Sequence, residues 1–243
     1  MTGALAGRVA LVTGASRGLG AAAAVELARH GARVVLLARN EGGLAEVDDR
    51  VRAVGGEATL LPLDLADGAA LDSLGPSLFA RFGRLDVLVH AAASLGRLTP
   101  APHIQPKDWD AVLAANLSGA WRLMRTTGAL LAASDAGRAV FVTCARAVEQ
   151  RAYWGAFGAT RAGMEHLVLS WAAETRGTAL RVNLFEPGPM RTRLRVTAYP
   201  GEARDAQPLP EAYAGALAEL CLPGETRHGE RVLAGPALLT PQA

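Results

Sequence analysis

The residues whose types and spacing point first to chemistry are Thr13-Gly14-Ala15-Ser16-Arg17-Gly18-Leu19-Gly20, near the start of a 243-residue chain. A strand pattern at Arg8–Thr13 runs directly into this turn, and a helical pattern at Leu19–His30 leads out of it. Glycines here permit a tight turn, close approach of a pyrophosphate to the backbone, and close helix–strand packing. The helix N-terminus adds unpaired N–H groups and a partial positive charge. Gly14, Ser16, Arg17, Gly18, Leu19 and Gly20 are therefore the candidate contacts for a phosphorylated ligand. A glycine-rich turn alone says little. Its place between a strand and a helix, in the first βα unit, gives it weight.

The end of the second strand carries the next signal. A carboxylate there would accept a hydrogen bond from a ribose 2′-hydroxyl, whereas an arginine accommodates a 2′-phosphate. The chain reads Ala38-Arg39-Asn40, with no acid before Glu41, and Arg17 lies inside the glycine turn. A guanidinium matches phosphate geometry, so the phosphorylated dinucleotide NADP(H) is the expected cofactor.

Short apolar runs alternate with longer helical patterns along most of the chain. Strands are expected at Arg8–Thr13, Arg33–Ala38, Ala58–Leu63, Leu85–Ala91, Ala139–Thr143 and Leu180–Phe185. Helices are expected at Leu19–His30, Glu41–Val54, Gly68–Phe82, within Asp108–Ala133, and from about Gly155 to Thr175. Continuous runs such as Val34-Val35-Leu36-Leu37 suit strands covered on both faces. The expected fold is α/β: one doubly wound, Rossmann-type domain over residues 1–243, with a parallel sheet of about seven strands and helices on both faces. The segment 191–210, rich in Pro, Gly and charge, reads as a mobile flap.

Composition narrows the function classes. Half the residues are hydrophobic and the net charge is only +2, with basic residues scattered among acidic ones, so nucleic acid is not an expected partner. No apolar run reaches the roughly 18 residues of a membrane span, no metal site is assigned, and Met1-Thr2-Gly3 opens no signal peptide. A cytoplasmic location is expected. Lys107 is the only lysine, so nearly all positive charge is arginine.

The glycine spacing Gly14-x-x-x-Gly18-x-Gly20, Asn116-Leu117-Ser118-Gly119, and Pro187-Gly188 together resemble the short-chain dehydrogenase/reductase family, and the resemblance runs over most of the chain. Within the family, His90, Ser134-Asp135-Ala136-Gly137, Trp154-Gly155-Ala156 and Arg181-Val182-Asn183 resemble a bacterial YciK-like subgroup. The resemblance implies that Asp64 and Leu65 lie near the adenine, and that Ala91, Ala92, Pro187, Gly188 and Thr192 lie along the cofactor. The family usually has Asn-Asn-Ala-Gly after strand four; this chain has His90-Ala91-Ala92-Ala93, which removes an amide and adds a methyl beside the cofactor. His90 reads as a structural histidine.

The family's catalysts are a tyrosine that donates a proton, a lysine four residues later, a serine about thirteen residues earlier, and an asparagine in the preceding helix. By resemblance, those positions hold Phe157, Arg161, Cys144 and Asn116; only Asn116 is retained. Phe157 has no ionisable hydrogen, Arg161 could donate to a ribose but has no phenol to tune, and Cys144 offers a weak S–H. The expectation is an oxidoreductase-like protein that binds NADP(H) with impaired catalysis, in a binding, sensing or scaffold role. The alternative is an active carbonyl reductase using a displaced donor such as Tyr153; otherwise Tyr153 caps or packs the loop entering its helix. The apolar residues of the two helices following strands four and five imply a homodimer or homotetramer.

Overall fold

The computed structural model describes residues 3–144, 149–203 and 205–234. Seven parallel strands form one sheet in the order β3-β2-β1-β4-β5-β6-β7. They are β1 (Val9–Thr13), β2 (Arg33–Ala38), β3 (Glu57–Pro62), β4 (Val87–His90), β5 (Arg138–Val142), β6 (Arg181–Glu186) and β7 (Arg231–Leu233). The order reverses beside β1, which pairs with β2 on one side and β4 on the other, Thr13 meeting both Leu37 and His90. Such a reversal opens a crevice beyond the strands' carboxyl ends.

The apolar runs expected to be covered on both faces are covered. One core cluster joins Val12, Val34 and Leu36 to the alanine-rich helix α1 (Gly18–Arg29), α2 (Glu41–Ala53) and α9 (Glu211–Glu219). A second joins Leu11, Val35 and Leu88 to helices on the other face: α4 (Leu74–Phe82), α6 (Gly119–Ala133) and α7 (Gly155–Glu174). The short side chains of α1 let it lie close to the sheet.

Two helices differ from the sequence reading. The helix expected over Gly68–Phe82 is two helices, α3 (Gly68–Asp72) and α4, divided at Ser73, whose hydroxyl donates back to the carbonyl of Ala70 at 3.0 Å. The helix expected within Asp108–Ala133 starts earlier, as α5 (Pro106–Leu113), and passes through a wider π-type turn, Ala114–Ser118, before continuing as α6. The segment 191–210 carries a short helix, α8 (Arg193–Ala198), and is tied by an Arg195–Glu202 ion pair at 2.6 Å and by the Arg191 N–H donating to the Pro208 carbonyl at 2.8 Å. Arg204 within it lies outside the described residues.

At the opposite end from the crevice, Asp86 is fully buried just before β4. Its carboxylate accepts from Arg84 at 2.6 Å, Arg8 at 3.3 Å, the Ser134 hydroxyl at 2.6 Å and the Val9 N–H at 2.9 Å. These contacts fasten β1, β4 and the entry to β5. Burial alone would raise the Asp86 pKa, but Arg84, Ser134 and Val9 outweigh it and hold the carboxyl below its ordinary value. A folded value below the unfolded one stabilises the fold above the unfolded pKa, near ~3.9, and the contribution vanishes as pH falls through the folded value. Asp86→Asn should therefore lower stability by about 3 kcal/mol at neutral pH, since it breaks a buried charge cluster. In denaturant titrations the gap from the unmodified protein should narrow below about pH 4. A gap that stayed constant with pH would contradict this account.

Candidate functional site

The turn after β1 opens at the crevice. Gly14 has φ +67°, and a Cβ there would lie 2.8 Å from the Cα of Ala92; a Cβ on Gly20 would lie 2.4 Å from the Gly14 carbonyl oxygen. Those two glycines serve packing. Gly18 differs: its φ is +59°, yet its missing Cβ faces open space apart from a Thr192 methyl at 3.5 Å. That is the room a ligand needs at a helix N-terminus. Ser16 and Leu19 complete the turn, with the Ser16 carbonyl pressed against α2 at Gly43.

Along the neighbouring strand ends, Arg17 and Arg39 are exposed. The Arg39 guanidinium stands 3.6 Å from the Asp64 carboxylate, with both side chains substantially in solvent, a contact worth little by itself. Leu65 is buried, its carbonyl close to Gly119. Ala91 donates its N–H to the Thr13 carbonyl at 3.3 Å, and Ala92 backs onto Gly14. Ala93 is exposed. Beyond β6, Pro187 is buried, Gly188 has φ +84°, and the Thr192 hydroxyl caps α8 by accepting from Arg195 N–H at 3.2 Å. These residues follow the carboxyl ends of β1, β2, β3, β4 and β6.

Asn116 sits on the π-type turn and is fully committed. Its Oδ1 accepts from Ser94 N–H at 2.7 Å, while its Nδ2 donates to the Ser94 carbonyl at 2.9 Å and to the Thr160 hydroxyl at 3.1 Å. The wider turn aims the amide across to the loop after β4; π-turns recur where a side chain must be redirected. Phe157 is buried in an apolar cage of Leu95, Leu98, Trp154, Leu194 and Ala198, with Cys144 packed against it. The Trp154 ring meets it edge-on, 5.7 Å between centroids.

Arg161 lies one helical turn beyond Phe157 and is buried. Its Nη2 donates to the Val142 carbonyl, while Nε and Nη1 have no partner among the described residues. Burial lowers its pKa to about 10, with the nearby Cys144 and Glu165 opposing that shift, so it stays cationic at neutral pH. His90, also buried, shares a 2.9 Å hydrogen bond between Nδ1 and the Thr13 hydroxyl; its Nε2 has no partner among the described residues. Burial, helped by the charge on Arg161, pushes its pKa down to about 3 and keeps the ring neutral.

Tyr153 does not turn into this cage. Its side chain is 59% exposed and its φ is +74°, while its carbonyl accepts from Thr99 N–H at 3.2 Å. The sequence reading passed over Glu165 and Arg231. Thr143 donates to the buried Glu165 carboxylate, which also accepts from Arg231. Glu165 follows Arg161 by four residues, so the helical spacing could have flagged it. Next to the cage a cavity of about 420 Å³ opens between Leu95, Leu98, Asp108, Val112 and Thr197. Lys107, exposed on the first turn of α5, is next in sequence to Asp108.

With the sheet, turn and crevice in place, comparison with known proteins is direct. The family described as short chain dehydrogenase matches residues 8–203, and this chain belongs to it. The uncharacterized oxidoreductase YciK of Escherichia coli K12 is 35% identical over 198 residues, 80% of this chain and 78% of that protein. D-threitol dehydrogenase of Mycolicibacterium smegmatis is 33% identical over 202 residues, 83% of this chain and 77% of the relative. A solved short chain dehydrogenase structure from Pseudomonas syringae superposes with TM-score 0.89 at 36% identity, covering 97% of both chains. Another, from Escherichia coli CFT073 and complexed with NADPH, superposes with TM-score 0.88 at 32% identity, covering 97% of this chain and all of that one.

The glycines can be told apart by substitution. Gly20→Ala should fail to fold or lose several kcal/mol, because backbone rather than a flexible side chain fills the space. Gly18→Ala should cost only about 1–2 kcal/mol for the left-handed backbone and stay folded, while losing dinucleotide affinity. Thermal melting read beside fluorescence titration checks both; a Gly18→Ala protein with undiminished affinity would remove Gly18 from the site.

Proposed function

We propose that this member of the family binds NADP(H) at the crevice but lacks the ordinary machinery for hydride transfer, and serves a binding, sensing or scaffold role. The observation that carries the reading is the pairing of a ligand-ready turn and buried, unpartnered Arg161 nitrogens with an apolar cage at the proton-donor position. The residues present fit the cofactor. Gly18 leaves space at a helix N-terminus, Arg17 and Arg39 offer guanidiniums where a 2′-phosphate would sit, and Arg161 has two N–H-bearing nitrogens available for ribose hydroxyls. The NADPH in the Escherichia coli CFT073 structure and the NADP in a Shigella flexneri structure, 32% identical over 97% of this chain, support the same cofactor here.

When bound, NADPH supplies a hydride. This chain's residues would have to supply the proton for the developing alkoxide, and Phe157 has none to give. Asn116 is spent on Ser94 and Thr160. Arg161 is cationic at neutral pH, and its Nη2 is already given to the Val142 carbonyl, so in this reading it serves as a hydrogen-bond donor to a ligand. General acid catalysis is worth roughly 10²–10⁴ in rate, and residues acting as a unit lose most of it together.

Association is part of the proposal. Trp121 on α6 and Leu169 on α7 are 45% and 40% exposed, leaving apolar surface on both helices for a second copy in a homodimer or homotetramer. Light scattering at micromolar concentration should give a multiple of 25.2 kDa. The monomer mass there would reject association.

Fluorescence titration should show NADPH binding tighter than NADH, with Arg39→Asp reversing the order. NADPH oxidation should be negligible with ketones, aldehydes and quinones, orders of magnitude below an ordinary enzyme's ~10 s⁻¹. The triple variant Cys144→Ser, Phe157→Tyr, Arg161→Lys should raise it, whereas single reversions should not. Brisk turnover by the unmodified protein, abolished in Tyr153→Phe, would overturn the reading and make Tyr153 the acid.

A further inference from the structure

Arg161 and Glu165 stand one turn apart on α7, both buried, at the spacing where an arginine and a glutamate ordinarily pair. They do not pair. Glu165 Oε1 accepts from the Thr143 hydroxyl and Oε2 accepts from Arg231 Nη2, while the Arg161 Nη2 is turned to the Val142 carbonyl. Arg231 lies on β7, 66 residues away, and its Nη1 also donates to Glu186 Oε2 at 3.1 Å. Glu186 is the last residue of β6, immediately before Pro187-Gly188. The acid nearest to Arg161 along its own helix is thus held by a cation from the sheet edge. Meanwhile Arg161 keeps Nε and Nη1 unpartnered in a buried place. Leaving such groups unmade is costly unless something meets them.

We propose that Arg231 is a positioning residue: by engaging Glu165 and Glu186 it keeps Glu165 off Arg161, so that the Arg161 guanidinium stays presented to the cofactor. The proposal rests on the reading that Arg161 meets the nicotinamide half of NADP(H). The charges account for its logic. Two buried carboxylates, Glu165 and Glu186, share the Arg231 guanidinium, while Arg161 feels the charge of Glu165 from one turn back. Without Arg231, Glu165 would be a buried carboxylate lacking its cation, a state expensive enough to drive rearrangement. Arg161, one turn back, is already within electrostatic range of Glu165 and is the cation at hand. Pairing them would draw Arg161 along the helix and consume the donors a ligand would use. The Arg231 side chain is about one-third exposed on an edge strand, so the position tolerates substitution better than a core site.

The test uses the full chain and two probes. NADPH spans both halves of the site; adenosine 2′,5′-bisphosphate carries only the adenosine half and cannot reach Arg161. In Arg231→Gln, NADPH should bind at least tenfold more weakly while the bisphosphate binds as before. Adding Glu165→Gln to that variant removes the competing charge and should restore NADPH affinity to within about threefold of the unmodified protein. A merely structural role for Arg231 would give no rescue, because the second substitution removes still more of the network. The single variant Glu165→Gln keeps the test alive should Arg231→Gln not fold. It should bind NADPH as tightly as the unmodified protein or more tightly, whereas a marked loss would mean that Glu165 itself shapes Arg161 and would overturn the proposal. Unchanged NADPH affinity in folded Arg231→Gln, or a double variant as weak as the single, would overturn it equally. If the unmodified protein bound the bisphosphate but Arg161→Met left NADPH affinity intact, the underlying reading of Arg161 would fail instead.

Discussion

The ligand end of this molecule depends on how closely the first glycine turn approaches the end of β4. A single methyl on Gly14 would collide with the backbone at Ala92, and the Thr13 hydroxyl is bonded across the same junction to His90. This junction is where strand order reverses, so the contact sets both the width of the crevice and the aim of the α1 N-terminus. His90 suits it because a buried imidazole held neutral by its surroundings can hydrogen-bond without importing charge. The family's amide at the following position is absent, and the strands are joined here by the backbone bond from Ala91 to Thr13 and by the histidine.

A second constraint concerns charge in the interior. Among the described residues two arginines, Arg138 and Arg161, are buried and a third, Arg231, reaches in from the edge strand, and each is handled differently. Arg138 donates to the carbonyls of Gly137, Ala179, Leu222, Pro223 and Glu225, gathering the loops that deliver the last strand. Arg231 bridges two carboxylates. Arg161 alone of these three has buried nitrogens without a partner among the described residues.

Much of the fold was legible in the sequence because a parallel sheet buried on both faces demands continuous apolar runs, and runs such as Val34–Leu37 occur nowhere else so cheaply. The glycine turn was legible for a related reason, since only its special backbone and close approaches require three glycines at that spacing. What escaped detection depends on partners distant in sequence. The π-type turn at Asn116 is held by the Ser94 backbone, and three-residue β7 at the sheet edge has too short a pattern to announce itself. The direction of Tyr153 was equally hidden, because a helix-entry residue can face cleft or solvent with no change in periodicity. Glu165 was visible as a neighbour of Arg161, but its engagement by Arg231 could only come from three dimensions.

The scarcity of lysine has a practical consequence. Lys107 is the only lysine side chain in the sequence, and it is exposed on the first turn of α5, next in sequence to a residue lining the cavity beside the Phe157 cage. Amine-directed chemistry therefore has one side-chain address, one residue before the Asp108 that lines this cavity. A dye or cross-linker attached there marks a single known position on α5, in a protein whose remaining side-chain positive charge is carried by arginine and is inert to the same reagent.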